Sequence, residues 1–210
     1  MRVIVLEGVN AAGKSSVGLF LKKVLLDRGH PCVLADPAGC GPIGKLLREL
    51  IVQPSFLANA DLHAVLFAAL RAEGAEKLLE DTRSNPSSTL VLERWSLAIS
   101  SYGAADGART NLISELRGFL QSILEVDTTV LLDINGETAH GRIATISNHN
   151  QFELRGQRYL DDVARYYRSF AEKETDTNVV DASSDLKTTC ERVRKLLALK
   201  WSDFDRNFAA

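Results

Sequence analysis

Residues 8–15 read Gly-Val-Asn-Ala-Ala-Gly-Lys-Ser, an instance of G-x-x-x-x-G-K-S. The setting of the motif is as informative as its letters. Upstream, Val3-Ile4-Val5-Leu6 is a short, β-branched, continuously apolar run, the composition of a strand buried on both faces. Downstream, Val17, Leu21, Val24 and Leu25 recur at helical spacing and stop at Gly29. A strand, a glycine loop and a helix in that order make an anion cradle. The glycines let the backbone curl until successive N–H groups face one point, and the helix aims the positive end of its dipole at the same place. In such a loop Lys14 spans the terminal phosphates of a nucleoside triphosphate and the Ser15 hydroxyl is a ligand for Mg²⁺. The expected ATP-binding residues here are Gly8, Asn10, Ala11, Ala12, Gly13, Lys14, Ser15 and Ser16.

Working outward, four more short apolar runs follow the first, over 32–35, 89–92, 129–133 and 178–181. Helical patterns lie between them at 43–52, 61–80, 110–125, 137–146, 155–173 and 186–199. In the first of these, Leu46, Leu47, Leu50 and Ile51 form one stripe, and Asn59 or Asp61 is placed to cap the next. Strands alternating with helices predict right-handed crossovers and an α/β fold: a five-stranded parallel sheet covered by helices on both faces. No linker or repeat interrupts the 210 residues, which predicts a single domain over 1–210. A polar stretch, Ser147-Asn148-His149-Asn150-Gln151, marks a lid at about 143–154, and His149 reads as a solvated loop residue. The segment after Trp201 has no period and reads as a docked or frayed tail.

Composition narrows the function. A formal net charge of −2 and a pI near 6.1 argue against a nucleic-acid or anionic-membrane surface, so positive charge has to be concentrated in a site. Cys32, Cys40 and Cys190 have neither metal-ligand spacing nor the arithmetic of a disulfide framework, which suits a cytoplasmic protein. The opening apolar run is too short for a signal peptide or a membrane span.

Ligands of parallel sheets gather at the carboxyl ends of the strands. Asp36 follows the second strand and Glu93-Arg94 the third, so both are expected beside the glycine loop. Lys14, Arg94, Asp36 and Glu93 are the candidate catalytic residues, and Ser15 with Glu93 the candidate metal ligands. Asp36 or Glu93 can hold Mg²⁺-bound water or act as a base, and Arg94 can neutralise a transferring phosphoryl group. A helix cap at Asp36 and a surface pair at Glu93-Arg94 are the plain structural alternatives.

With these residues in hand, the chain resembles the thymidylate kinase family. The likeness rests on Leu6-Glu7-Gly8, Asp36-Pro37, Gly41-Pro42-Ile43-Gly44-Lys45-Leu46-Leu47-Arg48, Val65 through Arg71, Glu93-Arg94-Trp95 with Tyr102, and Val180-Asp181-Ala182-Ser183. It implies that Phe67 stacks on the acceptor base and that Arg71, at the rim of a pocket, reaches the base edge or acceptor phosphate. It also implies that Arg48 contacts that phosphate and that Tyr102 crowds the sugar 2′ position. Asp36 and Arg94 complete the substrate set. Arg142 and Ala182 would lie beside the ATP, a homodimer is implied as possible, and no nucleic-acid or membrane partner is. The departures are Asn10 for an acid, Asp36 for a glutamate, Glu93 for an aspartate, apolar Ala98 and Ile99 at base-reading positions, and no arginine between Arg142 and Arg155. Arg142, Arg155 or Arg158 would have to supply any lid charge.

The expected activity is transfer of the γ-phosphoryl of ATP to a deoxynucleoside monophosphate, dTMP or a related pyrimidine nucleotide. Two alternatives stand beside it. Ala11-Ala12-Gly13-Lys14-Ser15 and Glu93-Arg94 also resemble deoxynucleoside kinases, which need a carboxylate base for a 5′-hydroxyl. The substituted acids permit a non-catalytic nucleotide-binding module.

Overall fold

The computed structural model describes residues 1–53, 55–56, 59–145 and 151–205. Among them five strands, β1 (Arg2–Glu7), β2 (Cys32–Ala35), β3 (Thr89–Glu93), β4 (Thr128–Asp133) and β5 (Thr177–Asp181), form one sheet in the order β2-β3-β1-β4-β5. All four pairings are parallel. The helices are α1 (Lys14–Leu26), α2 (Pro42–Ile51), α3 (Ala60–Thr82), α4 (Ser96–Asp106), α5 (Thr110–Ile123), α6 (Gly136–Ile143), α7 (Gly156–Ala171) and α8 (Leu186–Ala198).

The continuous apolar strands are explained by burial on two faces. Ile4 and Leu6 of β1 pack with Val17 and Leu21 of α1 and Val193 and Leu197 of α8. Val3 and Val5, one residue out of phase, pack with Ala72, Ala75 and Leu78 of α3 and Leu120 of α5. The strand order sets β2, β3 and β1 side by side, so Asp36, Glu93-Arg94 and the glycine loop leave the same edge of the sheet together.

Two features differ from the sequence reading. Helix α4 was not expected. Ser96 to Ser101 and Gly103 are all buried, so it shows no polar face to betray a period. On α2 the apolar stripe splits: Ile51 is buried and Leu47 half-buried, whereas Leu46 and Leu50 point outward with Ile43. The expected lid is described at its two ends only. Helix α6 closes at Ile143, a 3₁₀ turn spans Glu153–Arg155, and His149 lies outside the described residues. The tail docks as far as Phe204, which is fully buried and accepts a hydrogen bond at its carbonyl from Arg194.

Helix α3 fixes the wall of the site through two neighbouring residues. The Glu73 carboxylate accepts the Ile43 and Gly44 N–H groups at 3.0 and 2.5 Å, capping α2 from outside. Gly74 lets the Pro37 carbonyl approach so closely that a Cβ there would sit 1.8 Å from its oxygen. In an open helix Gly→Ala stabilises by up to about 1 kcal/mol. Here the sign should invert, with Gly74→Ala costing roughly 1–3 kcal/mol by overpacking. Urea unfolding measures it, and an unchanged or raised midpoint would show that the Pro37 turn yields freely.

Candidate active site

The glycine loop takes the cradle geometry its sequence demands. Gly8 has φ 140°, and a Cβ on it would meet the Leu132 carbonyl oxygen at 2.6 Å. Gly13 is left-handed and precedes α1, whose first turn carries no acidic residue and no side-chain cap. Its amide groups therefore face the loop uncapped by side chains. Lys14 is buried, with Nζ donating to the Gly8 and Val9 carbonyls at 3.0 and 2.7 Å. Burial, then the facing Arg94, pushes its ammonium well below the ordinary lysine value. Ser15 Oγ donates to Glu93 Oε2 at 2.6 Å, so the two expected metal ligands do meet. Hydroxyl and carboxylate oxygens side by side suit a hard cation such as Mg²⁺. Among the described residues no cluster of three or more His, Cys, Asp or Glu offers an alternative metal site.

On the far side of the loop, Arg142 Nη2 donates to the Ala182 carbonyl at 2.9 Å and the Ser184 carbonyl at 3.2 Å, and Nη1 to the Ala11 carbonyl at 3.3 Å. It staples the 182–184 loop to the phosphate cradle. Ser16 is exposed on the first turn of α1.

The remaining candidates line one cleft: Asp36, Arg48, Phe67, Arg71, Arg94 and Tyr102 all border it. Arg94 has φ 70°, a left-handed conformation unusual for a non-glycine residue. That turn sends its guanidinium to Asn10 Oδ1 and, at 3.2 Å, to the Tyr102 hydroxyl, which itself donates to Asn10 Oδ1 at 2.9 Å. Burial works against the charge, but Tyr102, Tyr167, Asp36 and Glu7 around it hold the guanidinium protonated. Asn10, expected among the ATP-binding residues, thus turns its side chain toward this second cleft. Arg71 is not at a rim. It is 4% exposed, donates to the Phe67 carbonyl at 3.3 Å, and has no partner for Nε. Asp36 both caps the Pro37–Gly39 turn, accepting from Ala38 N at 3.1 Å, and pairs with Arg48.

A family model described as thymidylate kinase matches residues 6–193. The chain belongs to the thymidylate kinase family. Relatives bearing that name include one from Brachyspira hyodysenteriae, 30% identical with 91% of each chain covered. Another, from Pseudomonas putida, is 28% identical over 92% of this chain and 95% of its own. A third, from Nitrosospira multiformis, is 25% identical over 94% and 97%. As a member of the thymidylate kinase family the chain is an ATP-dependent nucleotide kinase. No described helix is long and apolar enough to cross a membrane.

The sequence reading missed several residues that the structure brings into the cleft. Phe152 from the lid end is 8% exposed and packs edge-on against Phe67, Tyr102 and His63 at centroid distances of 5.7, 6.1 and 5.8 Å. His63 Nε2 is buried without a hydrogen-bond partner. Asp106 takes hydrogen bonds from Arg155 and, at 2.9 Å, from the Tyr159 hydroxyl. Helical spacing places His63 one turn before Phe67 and was a usable signal. Nothing local in the sequence points to Phe152 or Asp106.

The Asp36 pair makes a pH prediction. Burial raises the Asp36 pKa, but Arg48 and Arg71 outweigh it and hold the carboxyl below its ordinary value. The stabilising contribution is complete above the unfolded carboxyl's value of about 3.9 and is lost as pH falls through the lower folded value. Asp36→Asn should therefore lower the Tm most near neutral pH, with the gap to wild type closing below about pH 4. Melting curves across that range test it, and a gap that stays constant would deny the pair its role.

Proposed function

We propose that this kinase transfers the γ-phosphoryl group of ATP to the 5′-phosphate of a deoxynucleoside monophosphate, with dTMP the first acceptor to examine. The carrying observation is that Arg48, Arg71 and Arg94 border one cleft whose lining includes Asn10 of the glycine loop, to which Arg94 donates. Bringing one phosphate against another calls for positive charge and no proton acceptor, because the attacking oxygen is already anionic. A nucleoside 5′-hydroxyl would need a free carboxylate. Both candidates are engaged, Asp36 by Arg48 and Glu93 by Ser15. The relatives' thymidylate kinase names support the same choice.

In this reading the loop amides from Gly8 to Ser16 and Lys14 bind the triphosphate, and Arg142 with Ala182 forms its outer wall. Ser15 and Glu93 hold Mg²⁺, which supplies charge neutralisation at the phosphates when bound. Arg94 faces the transferring group, and Arg48 and Arg71 orient the acceptor. Phe67 and Phe152 are placed to flank the base, and Tyr102 to lie against the sugar. Ala98 and Ile99 give the base an apolar wall. Its polar edge then falls to the unpartnered Arg71 Nε and His63 Nε2. Of the three arginines near the lid, Arg142 is spent on carbonyls and Arg155 on Asp106, which leaves the exposed Arg158 to supply charge. The free thiols of Cys32, Cys40 and Cys190 fit a reducing cytoplasm, and the outward Ile43, Leu46 and Leu50 favour a homodimer.

A coupled ADP-release assay with Mg-ATP, run on deoxynucleoside monophosphates beside the matching nucleosides, tests the proposal. Turnover is expected on monophosphates alone, with dTMP first, and Lys14→Ala should reduce it by at least about a hundredfold. Turnover confined to nucleosides, or full activity in Lys14→Ala, would overturn it.

A further inference from the structure

Among the described residues the most buried charged side chain is Glu7, 0% exposed and immediately before Gly8. A carboxylate sealed from water needs partners, and its partners come from distant parts of the chain. Oε1 accepts the N–H of Trp95 at 2.7 Å and of Ala98 at 3.1 Å. Those are the cap and first-turn amides of α4, which has no local side-chain cap. Oε2 accepts the hydroxyl of Tyr167 on α7 at 3.0 Å.

Arg94 lies between these bonds. Its own N–H donates to the Leu6 carbonyl at 2.9 Å, and the N–H of the next residue, Trp95, goes to Glu7. Consecutive residues of β1 therefore grip consecutive amides around the one residue that must hold φ 70°. A strained backbone persists only where its surroundings over-determine it. The negative charge of Glu7 also acts on Lys14, Arg71 and Arg94, the cations of the site.

We propose that Glu7 is a positioning residue for phosphoryl transfer: by binding the amides that follow Arg94 and facing its guanidinium with a buried charge, it holds Arg94 in the left-handed turn that aims it at Asn10 and the phosphate cradle. The inference rests on the kinase reading above. Glu7 touches no substrate. It acts through Arg94, with Tyr167 orienting its second oxygen.

The test is a double-mutant cycle on turnover, using Glu7→Gln, Arg94→Ala and the pair. Glutamine keeps the shape and one acceptor but loses the charge-assisted bonds and presents a donor to Tyr167. Glu7→Gln is expected to lower kcat about tenfold or more with the KM for ATP within about twofold, and to cost less than about twofold once Arg94 is alanine. A merely structural role would lower both backgrounds equally. Losses that multiply in full, or wild-type kcat in Glu7→Gln, would overturn the proposal. Absence of turnover in the wild type would instead fail the kinase reading, and Glu7 would then be judged from a crystal structure of Glu7→Gln. Displacement of Arg94 from Asn10 and Tyr102 would support the assignment, and an unmoved Arg94 would overturn it.

Discussion

The start of a helix presents amides that the helix itself cannot satisfy, and here one buried carboxylate answers those of α4 while joining three elements at once. Glu7 ends β1, caps α4 and receives α7 through Tyr167. Each bond crosses between segments far apart in sequence, so the site forms only when strand, helix and lid-bearing helix are all in place. The net worth of each ordinary hydrogen bond is about 1 kcal/mol, and bonds to a charge are stronger. Leaving the carboxylate buried without them would be far worse than any single bond is good. That asymmetry ties the phosphate loop and the Arg94 turn to a common frame.

Around that frame the site divides by charge. The phosphate loop offers backbone amides and one buried lysine. The neighbouring cleft offers arginines, each already answered by something: Arg48 by Asp36, Arg94 by Asn10 and Tyr102, Arg71 by the Phe67 carbonyl. Holding the cations in fixed partnerships keeps their side chains ordered before a ligand arrives, which is where positioning gains its effect on rate. Helix α3 supports this arrangement from behind, with Glu73 capping α2 and Gly74 admitting the Pro37 turn.

The architecture was legible because its signals are local. The apolar runs of β1 to β5, the glycines of the loop and the Lys14-Ser15 pair each announce themselves within a few residues, and the strand-end rule carried Asp36, Glu93 and Arg94 to the right place. What stayed hidden depends on distance. Helix α4 is buried all round and is capped by a residue 88 or more positions away, so neither period nor cap appears in its own letters. Arg71 reads as a residue at a pocket's rim because a sequence does not show how completely α3 is covered there. Asn10 reads as part of the phosphate loop because its turn toward Arg94 is set by β3. Leu46 and Leu50 read as core because spacing does not say how much of a helix its neighbours cover.

Phe152 gives the acceptor cleft a property beyond its shape. The segment that carries it is held at both sides: Gln151 N donates to the Val52 carbonyl at 3.1 Å, and Glu153 accepts from Asn10 Nδ2 at 3.2 Å. Its ring fills apolar space between Phe67 and Tyr102. A molecule that enters must share or replace those ring contacts. A flat aromatic base can do so, whereas free phosphate or water brings no apolar surface to exchange. A cleft built this way weighs the size and aromaticity of an occupant before any hydrogen bond reads its edge, and the segment that supplies the ring is itself bonded to the phosphate loop through Asn10.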